Sequence, residues 1–386
     1  MTTRLYEIMI YCIKSEITDS DVKFDFCLSD DEIEQLYEIS QRHDLSHIIG
    51  NALINNKILQ FKSELYDKYQ KRIMLSLYRY EQSNYEFGEI VKLFEREGIR
   101  FIPLKGVVLR ELYPLPWMRT SCDIDILIEK ENIDRATECL LDFGLKKGVE
   151  SPHDITFITS SGCHIELHHS LIEDGLVYNL DCVLSEVWTR STVRDGYLFW
   201  HDMNDEMFYF YHIAHMAKHF LFGGCGIKPF IDLWILDNLD NVDYCKRNEL
   251  LAKGALLKFA NAARNLSQVW FGNNEMDSLS RQLEIYIFKG GVYGSTENRI
   301  STQQQKKGGK LKYIVSRIFL PYDVIKFHYP ILQKRRWLTP FMEIRRWFTL
   351  IFCGRAKRVL YEMRFSNNIS SAEEKKTQAF LNNIGL

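Results

Sequence analysis

The stretch TSCDIDILIE, residues 120–129, sets two aspartates two positions apart inside an apolar run. Strand side chains alternate between faces, so Asp123 and Asp125 share one face while Ile124, Ile126 and Ile128 share the other. At roughly 6–7 Å between their Cα atoms, two carboxylates repel and give up water only where something cationic lies between them. A divalent metal is the simplest such group. A solvated pair on an edge strand is the plainer reading.

HIELHH, residues 164–169, repeats the pattern. Ile165 and Leu167 face one side, and His164, Glu166 and His168 the other. Glu166 is thus a third acid on a later strand, and if the strands lie some 4.8 Å apart or twice that, Asp123, Asp125 and Glu166 can converge on one or two hard cations. Oxygen ligands favour Mg²⁺ or Mn²⁺ over zinc. A metal held by carboxylates takes its other ligands from water and substrate phosphates, which points to phosphoryl or nucleotidyl transfer. The histidines beside Glu166 are suited to orienting the acid or moving a proton, or are ordinary sheet-surface polarity.

Upstream, PLKGVVL reads as a strand end, a turn at Gly106 and a helix start whose N–H groups suit a phosphate, with Lys105 as a point charge. Arg119 presents a planar fork for phosphate, or solvates a loop. Around these motifs, residues 1–95 carry helical spacing with little Gly or Pro and predict a helical N-terminal region. From 96 to about 200, strands alternate with helices, as in a small α/β or α+β domain. Asn132 is the expected cap and Gly144 the stop of a helix over ENIDRATECLLDFG, and Ser160, Ser161 and Gly162 turn between two extended runs. Residues 201–300 read as a helical domain, opening with a helix capped by Asn204 or Asp205 and stopped at Gly223–Gly224. STQQQKKGGK, 301–310, reads as a linker into a helical C-terminal region, 301–386.

That last region is a separate electrostatic object. From Gln303 to Arg358 the chain has 14 Lys or Arg against Asp323 and Glu343, a local +12 that leaves −14 on a remainder whose sum with it is the net −2. Its mixture of basic and aromatic side chains suits nucleic acid or an anionic membrane surface. An internal match with the acidic remainder is the default expectation, and a peripheral membrane role its main rival. A 46% hydrophobic composition with 13% aromatics argues against disorder. The nine cysteines form no CxxC pair, so neither a zinc ribbon nor a disulfide framework is suggested. No signal peptide is read at the start and no apolar run approaches the ~20 residues of a membrane helix, so a cytoplasmic protein is expected.

LKGVVLRELYPLPWMRTSCDIDILI, then HIELHH, then HIAHMAKH with FIDLWIL, resembles the uncharacterised nucleotidyltransferases of the polymerase-β-like superfamily. The resemblance covers most of residues 70–350. It implies an α+β fold with a polymerase-β-like core, a small mixed sheet with helices, framed by helical N- and C-terminal regions. It also implies that Asp123, Asp125 and Glu166 bind Mg²⁺, with Mn²⁺ as the alternative, and that Gly106 is the glycine turn; with Lys105 and Arg119 read from the residues, these three are expected to hold the phosphates of an NTP, ATP foremost. The implied reaction moves a nucleoside monophosphate to an acceptor, a small molecule or sugar being favoured, with nucleic acid left open. The chain carries Lys-Gly where the wider superfamily has Gly-Ser, and Glu for Asp at the third acid. Two other readings stand beside it: a scaffold that binds a nucleotide or sugar without turnover, and a metal-dependent phosphohydrolase built on His215, His219 and Asp232. For His212, His215 and His219 the plainer expectation is polar packing between helices.

Overall fold

The strand carrying the aspartates is β2 (Asp123–Ile128), and its neighbours explain why it tolerates them. In the computed structural model, which describes residues 2–18, 24–171, 180–292, 294–306, 309–352 and 371–386, β1 (Phe101–Pro103) runs antiparallel to β2 and β5 (His164–His168) runs parallel to it. Strands β4 (Asp154–Ile158) and β3 (Lys146–Glu150) extend the sheet, giving the order β1-β2-β5-β4-β3. One sheet face is apolar: Ile124, Ile126 and Ile128 join Phe157, Ile165 and Leu167 in one buried cluster. That face packs on Phe87, Ile90 and Phe94 of the long helix α4 (Glu64–Glu97) and on Ala136 and Leu140 of α6 (Ile133–Asp142). Each such fully buried side chain contributes about 1.5–3 kcal/mol, so a one-residue slip that turned the isoleucines outward would cost the whole core. The other face is left to the acids.

Helix α4 starts where Ser63 accepts a hydrogen bond from the Tyr66 N–H and ends at Gly98, whose φ of +66° a side chain would strain. Just beyond, the Glu95 carboxylate accepts the backbone N–H groups of Leu198, Phe199 and Trp200. This pins the hairpin β6 (Ser191–Val193) and β7 (His201–Met203) beside β1, where Trp200 bridges Phe101.

Helices precede the sheet as expected: α1 (Thr2–Ile17), α2 (Asp30–Arg42), with a capping box between Ser29 and Glu32, and α3 (Ser46–Asn55). The short helix α5 (Lys105–Arg110) follows β1. After the sheet come α7 (Asp181–Leu184), α8 (Asp205–Leu221), α9 (Lys228–Asp237), α10 (Tyr244–Lys253), α11 (Leu257–Phe271) and α12 (Ser278–Phe288). Tyr6 of α1 stacks on Phe288 at 4.0 Å between ring centroids, so the first and the later helices meet. Met1–Ala217 and Gly226–Val292 form one compact unit.

The second unit comprises Lys218–Cys225 and Tyr293–Leu386. The linker expected at 301–310 is not what is found there. Residues up to Lys306 belong to α13 (Thr296–Lys306), whose start is held by the Ser295 hydroxyl accepting from the Asn298 N–H. Ile300 of this helix buries against Tyr313 of α14 (Lys310–Ile318). One apolar anchor in a polar run suffices when a neighbouring helix receives it. Then follow α15 (Tyr322–His328), α16 (Ile331–Lys334), α17 (Thr339–Phe352) and a last helix, Ser371–Ile384. Among the described residues no helix is long and apolar enough to cross a membrane.

One expected cap differs, and the other is decided between its two candidates. The Asn132 side chain does not cap α6 but donates to the Glu129 carboxylate, 3.1 Å away. At α8 the cap is Asn204, whose Oδ1 accepts from the Met207 N–H.

Candidate active site

The register of β2 on β5 decides the site. Asp125 stands opposite Glu166 and Asp123 opposite His164, all on the polar face. The geometry brings together Asp125, Glu166 and His168, whose ligating atoms all lie within 4.8 Å of one another. His168 Nε2 is 3.0 Å from Asp125 Oδ1 and 3.6 Å from Glu166 Oε2. Asp123, two residues before Asp125, lies outside this group on the same face. His168 is the member the alternation placed nearby without revealing its partner, since only the strand register shows that Asp125 is in reach.

Electrostatics separate the acids. Burial, with repulsion from Asp125 and Glu166, raises the Asp123 pKa above the usual carboxylate range. Burial also works against the charge of Asp125, but the His168 hydrogen bond and the Lys105 charge outweigh it and hold that pKa low. His168 is the mirror case: burial favours its neutral form, and its bonds to Asp125 and Glu166 raise its pKa regardless.

Lys105 sits at the turn between β1 and α5 with φ of +22°, a conformation that side chains rarely adopt. Its Nζ is 3.4 Å from His215 Nε2 and 5.2 Å from the Tyr211 ring centre, both on α8. The turn is tied to the aspartate strand, because the Leu104 N–H donates to the Asp125 carbonyl. Gly106 lies so close to Ser121 that a Cβ there would come within 3.0 Å of its Cβ and Oγ. Arg110, buried, donates to the Gly106 carbonyl at 3.0 Å and to the Ser121 hydroxyl at 2.8 Å, bracing both sides of that contact. Its place four residues after Gly106, one helical turn on, was the available sequence signal.

Arg119 is placed differently from expectation. Its fork is bidentate on Asp232 of α9, with Nε–Oδ1 at 2.7 Å and Nη2–Oδ2 at 2.9 Å, and Tyr113 donates to the same carboxylate. Asp232 is fully buried. A carboxylate of the chain itself therefore takes the geometry expected for phosphate, and a guanidinium next to a buried acid gains more from that pair than from solvent. Beside it, Lys228 donates to the Asp44 carboxylate at 2.7 Å and to the Thr120 hydroxyl at 2.6 Å. The segment leading into β2 is thus tied to α9 through Arg119–Asp232 and through Lys228, which bonds Thr120 and pairs with Asp44, partners that lie far apart in sequence.

The same pairing engages the acid that the phosphohydrolase reading needs. His212 Nε2 bonds the Pro229 carbonyl at 3.0 Å, as the packing expectation has it. Among the described residues, Asp125, Glu166 and His168 form the one group of His, Cys, Asp or Glu side chains arranged to hold a metal ion.

Residues 29–272 match a family described as uncharacterised nucleotidyltransferase. The chain belongs to this family. The matched span holds the whole five-stranded sheet, the acids and the Arg119–Asp232 clamp, and membership supports a general transferase role. No curated protein and no solved structure matches significantly.

Proposed function

We propose that the protein is a metal-dependent nucleotidyltransferase of the polymerase-β-like type, moving a nucleoside monophosphate from an NTP, ATP foremost, to an acceptor hydroxyl with release of pyrophosphate. The observation that carries this reading is the convergence of Asp125, Glu166 and His168 beside Asp123 and the Lys105 ammonium. The donor set fits a Mg²⁺ or Mn²⁺ ion: two carboxylates close enough to share one cation, a third on the same face, and an imidazole that widens the choice toward Mn²⁺. Bound at Asp123, Asp125 and Glu166, such an ion would polarise the phosphoryl oxygens and neutralise charge that builds up on the leaving group.

The chain's own groups supply the rest. Lys105, held at a constrained turn over the acids, offers positive charge to the triphosphate. Gly106 keeps that turn tight against Ser121. The acceptor oxygen attacks the α-phosphorus as the bond to the bridging oxygen breaks and pyrophosphate leaves with its electron pair. The acceptor proton passes to Glu166, the more accessible carboxylate of the Asp125–Glu166 pair. Arg119, bidentate on Asp232, holds the loop before β2 in this reading.

The test supplies each NTP, labelled at the α-phosphate, with Mg²⁺ or Mn²⁺ and a pool of sugars and small alcohols, and follows label and pyrophosphate by chromatography. Label transferred by the wild type and lost in Asp123→Asn/Asp125→Asn supports the reading. Nucleotide bound at these acids with no label transferred and no pyrophosphate released would leave the chain a binding scaffold instead.

A further inference from the structure

The second unit carries a surface that nucleotidyl transfer does not use. On α17 and the turn before it, Trp337, Phe341, Ile344, Phe348 and Ile351 recur at spacings of four, three, four and three residues, so they form one stripe along the helix. Each is more than half exposed. Such a stripe on a helix is normally its core face, and left open it marks a docking surface.

The charged groups are arranged around the stripe rather than on it. Glu343 is buried beside the stripe and already paired, accepting from the Leu320 N–H at 2.6 Å and from Arg346 Nε at 2.7 Å. Arg345 borders the stripe, and Arg335 and Arg336 flank its Trp337 end, all three exposed. Along one edge the stripe runs into an apolar groove between α14 and α17, lined by Ile318, Phe319, Pro340, Ile344, Trp347 and Phe348.

We propose that this face docks on an anionic lipid surface, with α17 lying in the plane of the interface. Charge complementarity selects that occupant: the segment from Gln303 to Arg358 carries 14 basic residues against two acids, one of which is buried in its own ion pair. Two copies of so basic a face would repel one another. Nucleic acid is a poorer fit, because the exposed stripe interposes Ile344 and Ile351, which cannot stack on bases, and keeps the arginines at its edge. At the interface the apolar stripe enters the acyl boundary, Trp337 sits at headgroup level, and the arginine stems reach out to the phosphates. Fourteen residues span about 21 Å, too short to cross a bilayer core of roughly 30 Å.

Flotation of the full chain with vesicles tests this, comparing phosphatidylcholine alone with equal parts phosphatidylcholine and phosphatidylglycerol, at low salt and at about 0.5 M NaCl. The wild type is expected to float at least about tenfold more with the anionic vesicles and to lose that excess at high salt. Phe341→Asp/Phe348→Asp removes flotation, and Arg335→Glu/Arg336→Glu/Arg345→Glu removes its preference for anionic lipid. These positions are exposed, and unchanged circular dichroism and Tm show that the variants fold. Absence of wild-type flotation at low salt overturns the proposal, as does unchanged flotation of the Phe341→Asp/Phe348→Asp variant. A dimer in sedimentation that Phe341→Asp/Phe348→Asp abolishes, or duplex binding in place of vesicle binding, overturns it in favour of a second copy or of nucleic acid.

Discussion

Asp125 and His168 stand on neighbouring parallel strands with carboxylate Oδ1 3.0 Å from imidazole Nε2, and Glu166 is 3.6 Å from the same nitrogen. The imidazole thus occupies the angle between two acids from which a metal would be held.

Replacing it separates two roles. If His168 ligates or aligns the acids, His168→Ala should weaken Mn²⁺ binding about tenfold to a hundredfold, and Mg²⁺ binding less, because the smaller hard ion prefers oxygen. Isothermal titration of the two metals reads this directly. Equal or tighter Mn²⁺ binding would show that the imidazole only balances the charge of the carboxylates.

Arg119 should behave as a strut. Arg119→Ala leaves the fully buried Asp232, among the described residues, with the Tyr113 hydroxyl as its side-chain hydrogen-bond donor, and should cost about 3–5 kcal/mol of unfolding free energy in urea. Arg119→Leu/Asp232→Leu, which removes both charges, should cost less than the sum of the single changes. A fall in nucleotide affinity with stability unchanged would restore Arg119 to the phosphates.

Two buried histidines make folding sensitive to mild acid. Burial holds His43 and His47 at about 4, below the roughly 6.5 of an unfolded chain. A depressed pKa means that the unfolded state binds the protons first, so their contribution is complete above about pH 6.5 and is lost as pH falls toward 4. Each adds up to about 1.4 kcal/mol per pH unit to that slope. His47 Nε2 donates to the Met118 carbonyl at 2.8 Å, a bond that His47→Gln can keep. Denaturant unfolding from pH 7 to 4.5 should therefore show a slope about one proton shallower in His47→Gln. An unchanged slope would mean that His47 titrates normally in the fold.

The acids were legible because a two-residue period in a strand leaves a mark that no partner is needed to read. Asp123, Asp125 and Glu166 share a face for that reason, and Ile124 and Ile165 turn into the core on the other. The partner of Arg119 was not legible because residue type alone cannot distinguish a phosphate from Asp232, 113 positions downstream. The Lys228–Asp44 pair bridges 184 positions and left no local trace. β3 escaped notice because all five of its residues are exposed, so no alternation was imposed on them. At α13 the polar run hid a helix whose packing rests on Ile300.

If the acids of β2 and β5 form a metal-dependent nucleotide site, calorimetric titration of each NTP into the protein, with and without Mg²⁺, in wild type and in Asp123→Asn/Asp125→Asn, will show it. Binding should require the metal and disappear in the double variant while the fold, judged by circular dichroism, is unchanged. Binding indifferent to metal and to both substitutions, or no binding of any NTP, would contradict such a site.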